Sequence, residues 1–109
     1  MRLDRTDHGG ITLISVEEER IDAAIALQFR DKLVQSLADW IGPVVVDLQS
    51  VKFVDSSGLG AIVAAKKMLG QDRPLELVRL QPNVAKVFKL TRMDTVFRIH
   101  GRIPAELAE

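Results

Sequence analysis

The stretch from Val44 to Gly70, VVVDLQSVKFVDSSGLGAIVAAKKMLG, most constrains what this chain can fold into. The consecutive valines 44–46 behind Pro43 read as a strand buried on both faces, because a one-sided strand alternates apolar with polar residues. The stretch ends as a helix: Leu59, Ile62, Val63 and Leu69 fall on or near one stripe. Lys66 and Lys67 lie near the C-terminal end, where cations are favoured, and Gly70 is a natural stop. Between strand and helix stands Asp55-Ser56-Ser57-Gly58-Leu59-Gly60. A junction of this kind exposes its side chains, and the free backbone donors and the positive end of the helix dipole favour an anion there.

By residue type alone, Asp55, Ser56 and Ser57 are turn and capping residues, since Asp and Ser are preferred caps and a cap contributes about 1 kcal/mol. The glycines go beyond that need. Each costs about 1 kcal/mol of helix propensity, and together they leave Ser56 without bulky neighbours and let another surface approach the backbone. Ser57 reads as the cap of this helix, which is expected to begin around it. Asp47, inside an apolar strand, needs a partner or a place near the strand's end, and reads as support for the following loop.

The remaining elements are placed in order around this stretch. Arg2 to Asp7 reads as an edge strand, and His8-Gly9-Gly10 as a turn into the β-branched run Ile11 to Val16, giving an opening hairpin. Asp22 precedes a helix of about four turns in which Ile25, Phe29, Leu33 and Leu37 recur every fourth residue. Trp40 and Ile41 are expected to complete its contact with the sheet before Gly42-Pro43 ends it. Leu75 to Leu80 is a further strand, Pro82 opens a third helix with Gln81 as a weak cap, Val96 to Ile99 is a last strand, and Pro104 to Ala108 a terminal helical turn. The order is α/β; right-handed crossovers stack the helices on one side of a mixed sheet if the chain runs consistently outward and back, and periodicity alone does not choose this over a small doubly wound fold.

At 109 residues with 47% apolar composition, one core is expected, hence a single domain over 1–109. Fifteen basic residues balance fifteen acidic ones, which argues against nucleic-acid binding. The absence of cysteine fits a reducing cytoplasm. The longest wholly apolar run, Ala61 to Ala65, is far short of a membrane span, so no membrane insertion is expected.

Enzyme signatures are weak. Gly58-Leu59-Gly60 lacks the third glycine of a dinucleotide fingerprint and the lysine of a phosphate loop, and the serines do not form a Gly-x-Ser-x-Gly elbow. His8 and His100 are the only histidines, neither is placed as a catalytic base, and two are too few for a metal site without carboxylates. No activity and no cofactor are expected. A hydrolase using Ser56 or Ser57 is the remaining enzyme alternative.

The run Val44 to Lys67, with its Asp-Ser-Ser-Gly-Leu-Gly core, resembles the signature of the STAS domain in bacterial anti-sigma factor antagonists. The resemblance implies a mixed sheet of four to five strands with helices mainly on one face. It implies a binding module rather than an enzyme: a cytoplasmic partner-switching protein that, unphosphorylated, binds an anti-sigma factor serine kinase and frees the sigma factor. Ser56 matches the serine that the kinase phosphorylates and a serine phosphatase restores. ATP and magnesium would belong to the kinase. Asp22, Asp55, Ser56, Ser57, Gly58, Leu59 and Gly60 become the expected partner-binding residues, with Lys66 as a further candidate. An aspartate at the place of Asp22 lies in the family's kinase interface, although the glycine that precedes it there is replaced here by Glu19. The alternative within the family is a non-catalytic assembly subunit of a stress-signalling complex or of a lipid or anion transport system.

Overall fold

Pairing of the β-branched runs organises the molecule. The computed structural model describes residues 1–103, so the expected terminal turn at 104–108 lies outside the described residues. Strands β1 (Leu3–His8) and β2 (Ile11–Val16) form an antiparallel hairpin in which His8 faces Ile11 and Leu3 faces Val16. Its two-residue turn, Gly9-Gly10, has φ of 43° and 82°. Two successive positive values are what a turn matching the strands' twist requires, and glycine meets it without strain. Helix α1 spans Ala26–Ser36. Strand β4 is Val44–Asp47, helix α2 is Ser56–Leu69, strand β6 is Leu75–Val78, helix α3 is Pro82–Leu90 and strand β7 is Arg98–His100. The main sheet has the order β1-β2-β4-β6-β7. All its neighbours beyond the hairpin are parallel.

Two short strands were not anticipated. β3 (Arg20–Ile21) and β5 (Phe53–Val54) pair in parallel as a separate ribbon, with Arg20 opposite Phe53 and Ile21 opposite Val54. The ribbon ties the segment after β2 to the segment after β4, and both lead into the starts of helices.

The helices cover one face of the sheet, as the connections require. Val44, Val46, Leu75, Leu77, Ile14 and Val16 point into the core shared with Phe29, Leu33, Ile62, Leu69 and Phe88. Alternate residues Val45 and Val78 face the other side, with Ile11, Leu13 and Ile103 against them. Both faces of β4 are thus buried, which is why its valines do not alternate with polar residues. Asp47, 4% exposed, ends β4 as a paired group. It takes Nε of Arg79 at 3.2 Å and a second Arg79 nitrogen, and accepts from the backbone N–H of Gln49 at 3.0 Å. The carboxylate holds the guanidinium's pKa above its ordinary value. Arg79 itself stands in the left-handed region, with φ of 56°.

Some boundaries differ from expectation. Helix α1 is shorter than the four turns predicted, with Ile25 rather than Asp22 at the N-cap position. Trp40 meets the core and its indole N–H donates to the Pro43 carbonyl at 3.2 Å, but Ile41 is 80% exposed. Leucine 80 lies beyond the end of β6. The last strand starts at Arg98, because Val96 closes a 3₁₀ turn over Met93–Thr95 and Phe97 leaves the strand direction to pack edge-on against Phe88, ring centroids 5.8 Å apart.

Edge strand β1 is fastened to the end of α1 by Arg5. Its guanidinium donates to Asp7 at 2.8 Å, to Asp39 at 2.8 Å and to the Ser36 carbonyl, and lies over the Trp40 ring. Hydrogen bonding to Arg5 holds both carboxylates, Asp7 and Asp39, below their usual pKa. Groups with depressed folded-state values contribute stability that is complete above the unfolded-state pKa and is lost as pH falls through the folded one. Acidification below about pH 4, the ordinary aspartate range, is therefore expected to lower the unfolding temperature of wild type more steeply than that of Arg5→Gln. Thermal melts followed by circular dichroism across that range check it.

Candidate functional site

Asp55, not a serine, starts the second helix. It has extended backbone, φ −95° and ψ −174°, and its Oδ1 accepts from the Gly58 N–H at 2.8 Å. Its Oδ2 accepts from the Ala23 N–H at 3.2 Å. One carboxylate thus caps α2 and joins it to the turn before α1. Ser56 and Ser57, expected to share the capping, are the first two residues of the helix instead. Both are exposed, and neither hydroxyl is hydrogen-bonded to another described residue. They stand at the positive end of the α2 dipole, where backbone N–H groups of the first turn have no intrahelical acceptor.

Asp22 caps the turn leading into α1 rather than the helix. Its Oδ1 accepts from the Ala24 N–H at 3.1 Å, and its backbone carbonyl accepts from Ile25 and Ala26 at 3.1 and 2.9 Å. Through Ala23, this turn is held against Asp55, so Asp22 and the Asp55–Gly60 hexad do come together on one surface.

The two glycines of the hexad have different roles. Gly58 is buried, and a Cβ there would stand 1.9 Å from the Ile21 carbonyl oxygen and 2.8 Å from its carbon. Its lack of a side chain serves the approach of α2 to β3, an internal packing need. Gly60 is exposed, and a Cβ on it would meet nothing within 4 Å. Gly60→Ala is accordingly expected to stabilise the fold by about 0.5–1 kcal/mol through helix propensity and reduced unfolded-state freedom. Denaturant unfolding measures it. Leu59 is half-buried and packs against the core. Lys66 lies ten residues along α2 from Ser56, about 15 Å at the helical rise, with its ammonium 5.8 Å from the Phe97 ring centroid. It is not part of this surface.

Residues that sequence reasoning missed border the serines. The ribbon β3–β5 presents Arg20, whose guanidinium stacks 4.5 Å from the Phe53 ring centroid while pairing with Asp22 at 3.3 Å. Lys52 and Glu19 pair beside it at 3.5 Å. Strands of two residues carry no readable period, so the cation and the aromatic ring gave no joint signal before the fold placed them side by side. On the other flank, Ala23, Ala26, Leu27 and Arg30 of the α1 region face Ser57, Gly60, Ala61 and Ala64 of α2 across a groove of about 310 Å³. Among the described residues no group of histidines, cysteines and carboxylates could hold a metal ion, and no helix is long and apolar enough to cross a membrane.

The helices thus cover one face of a mixed sheet, and the second helix displays two exposed serines at its N-terminus. The STAS domain family model matches residues 2–105, and this chain belongs to that family. It is similar to the anti-sigma-F factor antagonist RsfB of Mycobacterium tuberculosis, with 28% identity over 97 residues, covering 89% of this chain and 79% of that protein. A solved anti-sigma factor antagonist from Mycobacterium paratuberculosis superposes with a TM-score of 0.84 at 26% identity, covering 97% of this chain and 90% of that one. The Bacillus cell fate determinant SpoIIAA shares the fold in both of its solved forms. The unphosphorylated form has a TM-score of 0.71 at 18% identity, covering 93% of this chain and 89% of that one. For the phosphorylated form the values are 0.64 and 17%, covering 93% and 92%.

Proposed function

We propose that this protein is an anti-sigma factor antagonist that works by partner switching. The form with a free Ser56 hydroxyl binds an anti-sigma factor serine kinase, and phosphorylation of Ser56 ends the complex. A serine phosphatase returns the protein to the binding form. Its part is that of ligand and phosphoacceptor, and it supplies no catalysis of its own.

The observation that carries the reading is the capping of α2 by Asp55 alone, which leaves Ser56 exposed and without a hydrogen-bonding duty in the fold. Its supports are the family, the similarity to proteins named as anti-sigma factor antagonists, and the existence of SpoIIAA in unphosphorylated and phosphorylated forms. The switch follows from electrostatics. A phosphoserine carries a charge of about −2 at neutral pH. On the free protein the helix N-terminus favours that charge by some tenths to about 1 kcal/mol, with Asp55 opposing it, so the fold is expected to stay as it is. In a contact shaped for a neutral hydroxyl the same dianion is desolvated and repelled, at a cost of several kcal/mol.

Capture from a lysate of the source bacterium with wild-type, Ser56→Ala and Ser56→Asp baits tests the reading, with mass spectrometry identifying the captured proteins. Wild type and Ser56→Ala are expected to retain an ATP-binding serine kinase that Ser56→Asp loses. Recovery of the same assembly or transport components by all three baits would assign the protein to the scaffold class instead. Covalent labelling of Ser56 or Ser57 by a serine-reactive probe would identify a hydrolase.

A further inference from the structure

The arginine on the ribbon beside the serines leaves most of its hydrogen-bonding capacity unused. Arg20 donates to Asp22 through Nε alone, at 3.3 Å, and its two terminal amino groups make no hydrogen bond to any described residue. The guanidinium is nevertheless held in place, because it stands 4.5 Å from the centroid of the Phe53 ring, and this stacking gives a use to an aromatic side chain that is 41% exposed. Other guanidiniums of the fold are occupied. That of Arg5 serves Asp7, Asp39 and the Ser36 carbonyl, and that of Arg79 grips Asp47 through two nitrogens. Strand register fixes where the free fork of Arg20 stands relative to Ser56. Arg20 is opposite Phe53 and Ile21 opposite Val54, and the next step is tied by the Asp55 N–H to the Ile21 carbonyl and by the Ala23 N–H to the Asp55 carboxylate. The contact with Asp22 therefore brings the guanidinium forward to the level of Asp55, one residue before Ser56, a rise of about 3.3 Å along extended chain.

We propose that Arg20 is the receptor, within the protein itself, for the phosphate on Ser56: its two free amino groups take phosphate oxygens while Nε stays on Asp22. Resting on the partner-switching reading, this gives the modified form a defined arrangement of charge. A planar guanidinium matches phosphate oxygens two at a time, and such charge-assisted bonds are stronger than neutral ones. Asp22 and Asp55 lie on the same step of the ribbon, so the dianion meets two carboxylates, and Arg20 is the cation placed to offset them. The phosphate is thereby drawn towards the β3–β5 ribbon and is not left free in solvent. Arg20 acts as a positioning residue for the modified serine, and the unmodified fold does not depend on it, since its side chain is 62% exposed.

The test uses the full chain with phosphoserine installed at position 56 during translation, which gives the modified form without any kinase. Phosphorus NMR then follows the second ionisation of the phosphate, ordinarily at about pH 6. Arg20→Gln is expected to raise that pKa by about 0.5 or more over wild type, roughly a threefold gain in proton affinity, because the dianion loses its partner. Arg20→Lys is expected to recover part of the difference, since it keeps the charge without the fork. Lys52→Gln and Arg30→Gln remove the other cations near the serines, which are paired with Glu19 and Asp31, and are expected to leave the value close to that of wild type. Melting temperatures of all variants are expected within a few degrees of wild type, so that a change in pKa reports the phosphate contact and not a loosened fold. An unchanged pKa in Arg20→Gln, or an equal rise in Lys52→Gln or Arg30→Gln, would overturn the proposal. Because the phosphate is installed and not transferred, that failure leaves partner switching standing. If the capture experiment finds no kinase while Arg20→Gln raises the pKa, the receptor stands and the partner-switching reading falls.

Discussion

Gly58→Ala is expected to lower the stability of the fold by about 2 kcal/mol, a shift of roughly 10 °C in the melting temperature for a domain of this size. The new methyl carbon would stand 1.9 Å from the Ile21 carbonyl oxygen. That neighbour is backbone, fixed by the pairing of Ile21 with Val54 and by the 3.4 Å contact of the Asp55 N–H with the same carbonyl, so it cannot rotate aside. Overpacking of a tight contact costs about 1–3 kcal/mol, with the upper end fitting an immovable partner. A gain of about 1 kcal/mol in helix propensity offsets part of it. The first turn of α2 would have to move away from β3, carrying Ser56 and Ser57 with it, so partner binding is expected to fall together with stability. Thermal and urea unfolding of Gly58→Ala beside Gly60→Ala checks the account. The two substitutions, two residues apart, are expected to change stability in opposite directions, and a Gly58→Ala protein as stable as wild type would show that the approach of α2 to β3 is not tight.

Ser56→Asp is expected to weaken binding of the anti-sigma factor at least a hundredfold, about 3 kcal/mol, while leaving the melting temperature of the free protein within a few degrees. The aspartate brings about half the charge of a phosphate, and its desolvation in the contact is the larger part of the penalty. Stability stays near wild type because the cap is Asp55 and not Ser56, so no fold-supporting hydrogen bond is lost. Calorimetric titration of the purified pair, with a melt of the free variant, separates the two quantities. Loss of binding with an equal loss of stability would mean that Ser56 is structural.

The main sheet, the hairpin and the three helices were legible because each has a period or a terminator that its local chemistry imposes. Valines 44–46 announce a strand covered on both sides, His8-Gly9-Gly10 a turn, which the structure narrows to the two glycines because His8 pairs with Ile11, and Pro82 and Gly70 a helix start and a helix end. The hexad could be located but its division of labour could not. Asp, Ser and Ser are all capping residues, and only the position of Ala23, far off in sequence, shows why the carboxylate takes the cap and the hydroxyls are left out. Gly58 and Gly60 look equivalent in the sequence, yet one faces a carbonyl from β3 and the other faces nothing within 4 Å. The start of β7 was displaced because Val96-Phe97 has strand-like chemistry, while the edge-on contact of Phe97 with Phe88 claims it for the core. The α1–α2 groove left no trace at all, since alanines in two helices signal only helix.

The most direct measurement is to incubate the purified protein with the anti-sigma factor, ATP and magnesium, map the phosphate by mass spectrometry, and titrate the phosphorylated and unmodified forms against the same anti-sigma factor. The account predicts a single phosphate on Ser56 and an affinity at least a hundredfold lower for the modified form. A phosphate on another residue, or equal affinity of the two forms, would contradict it.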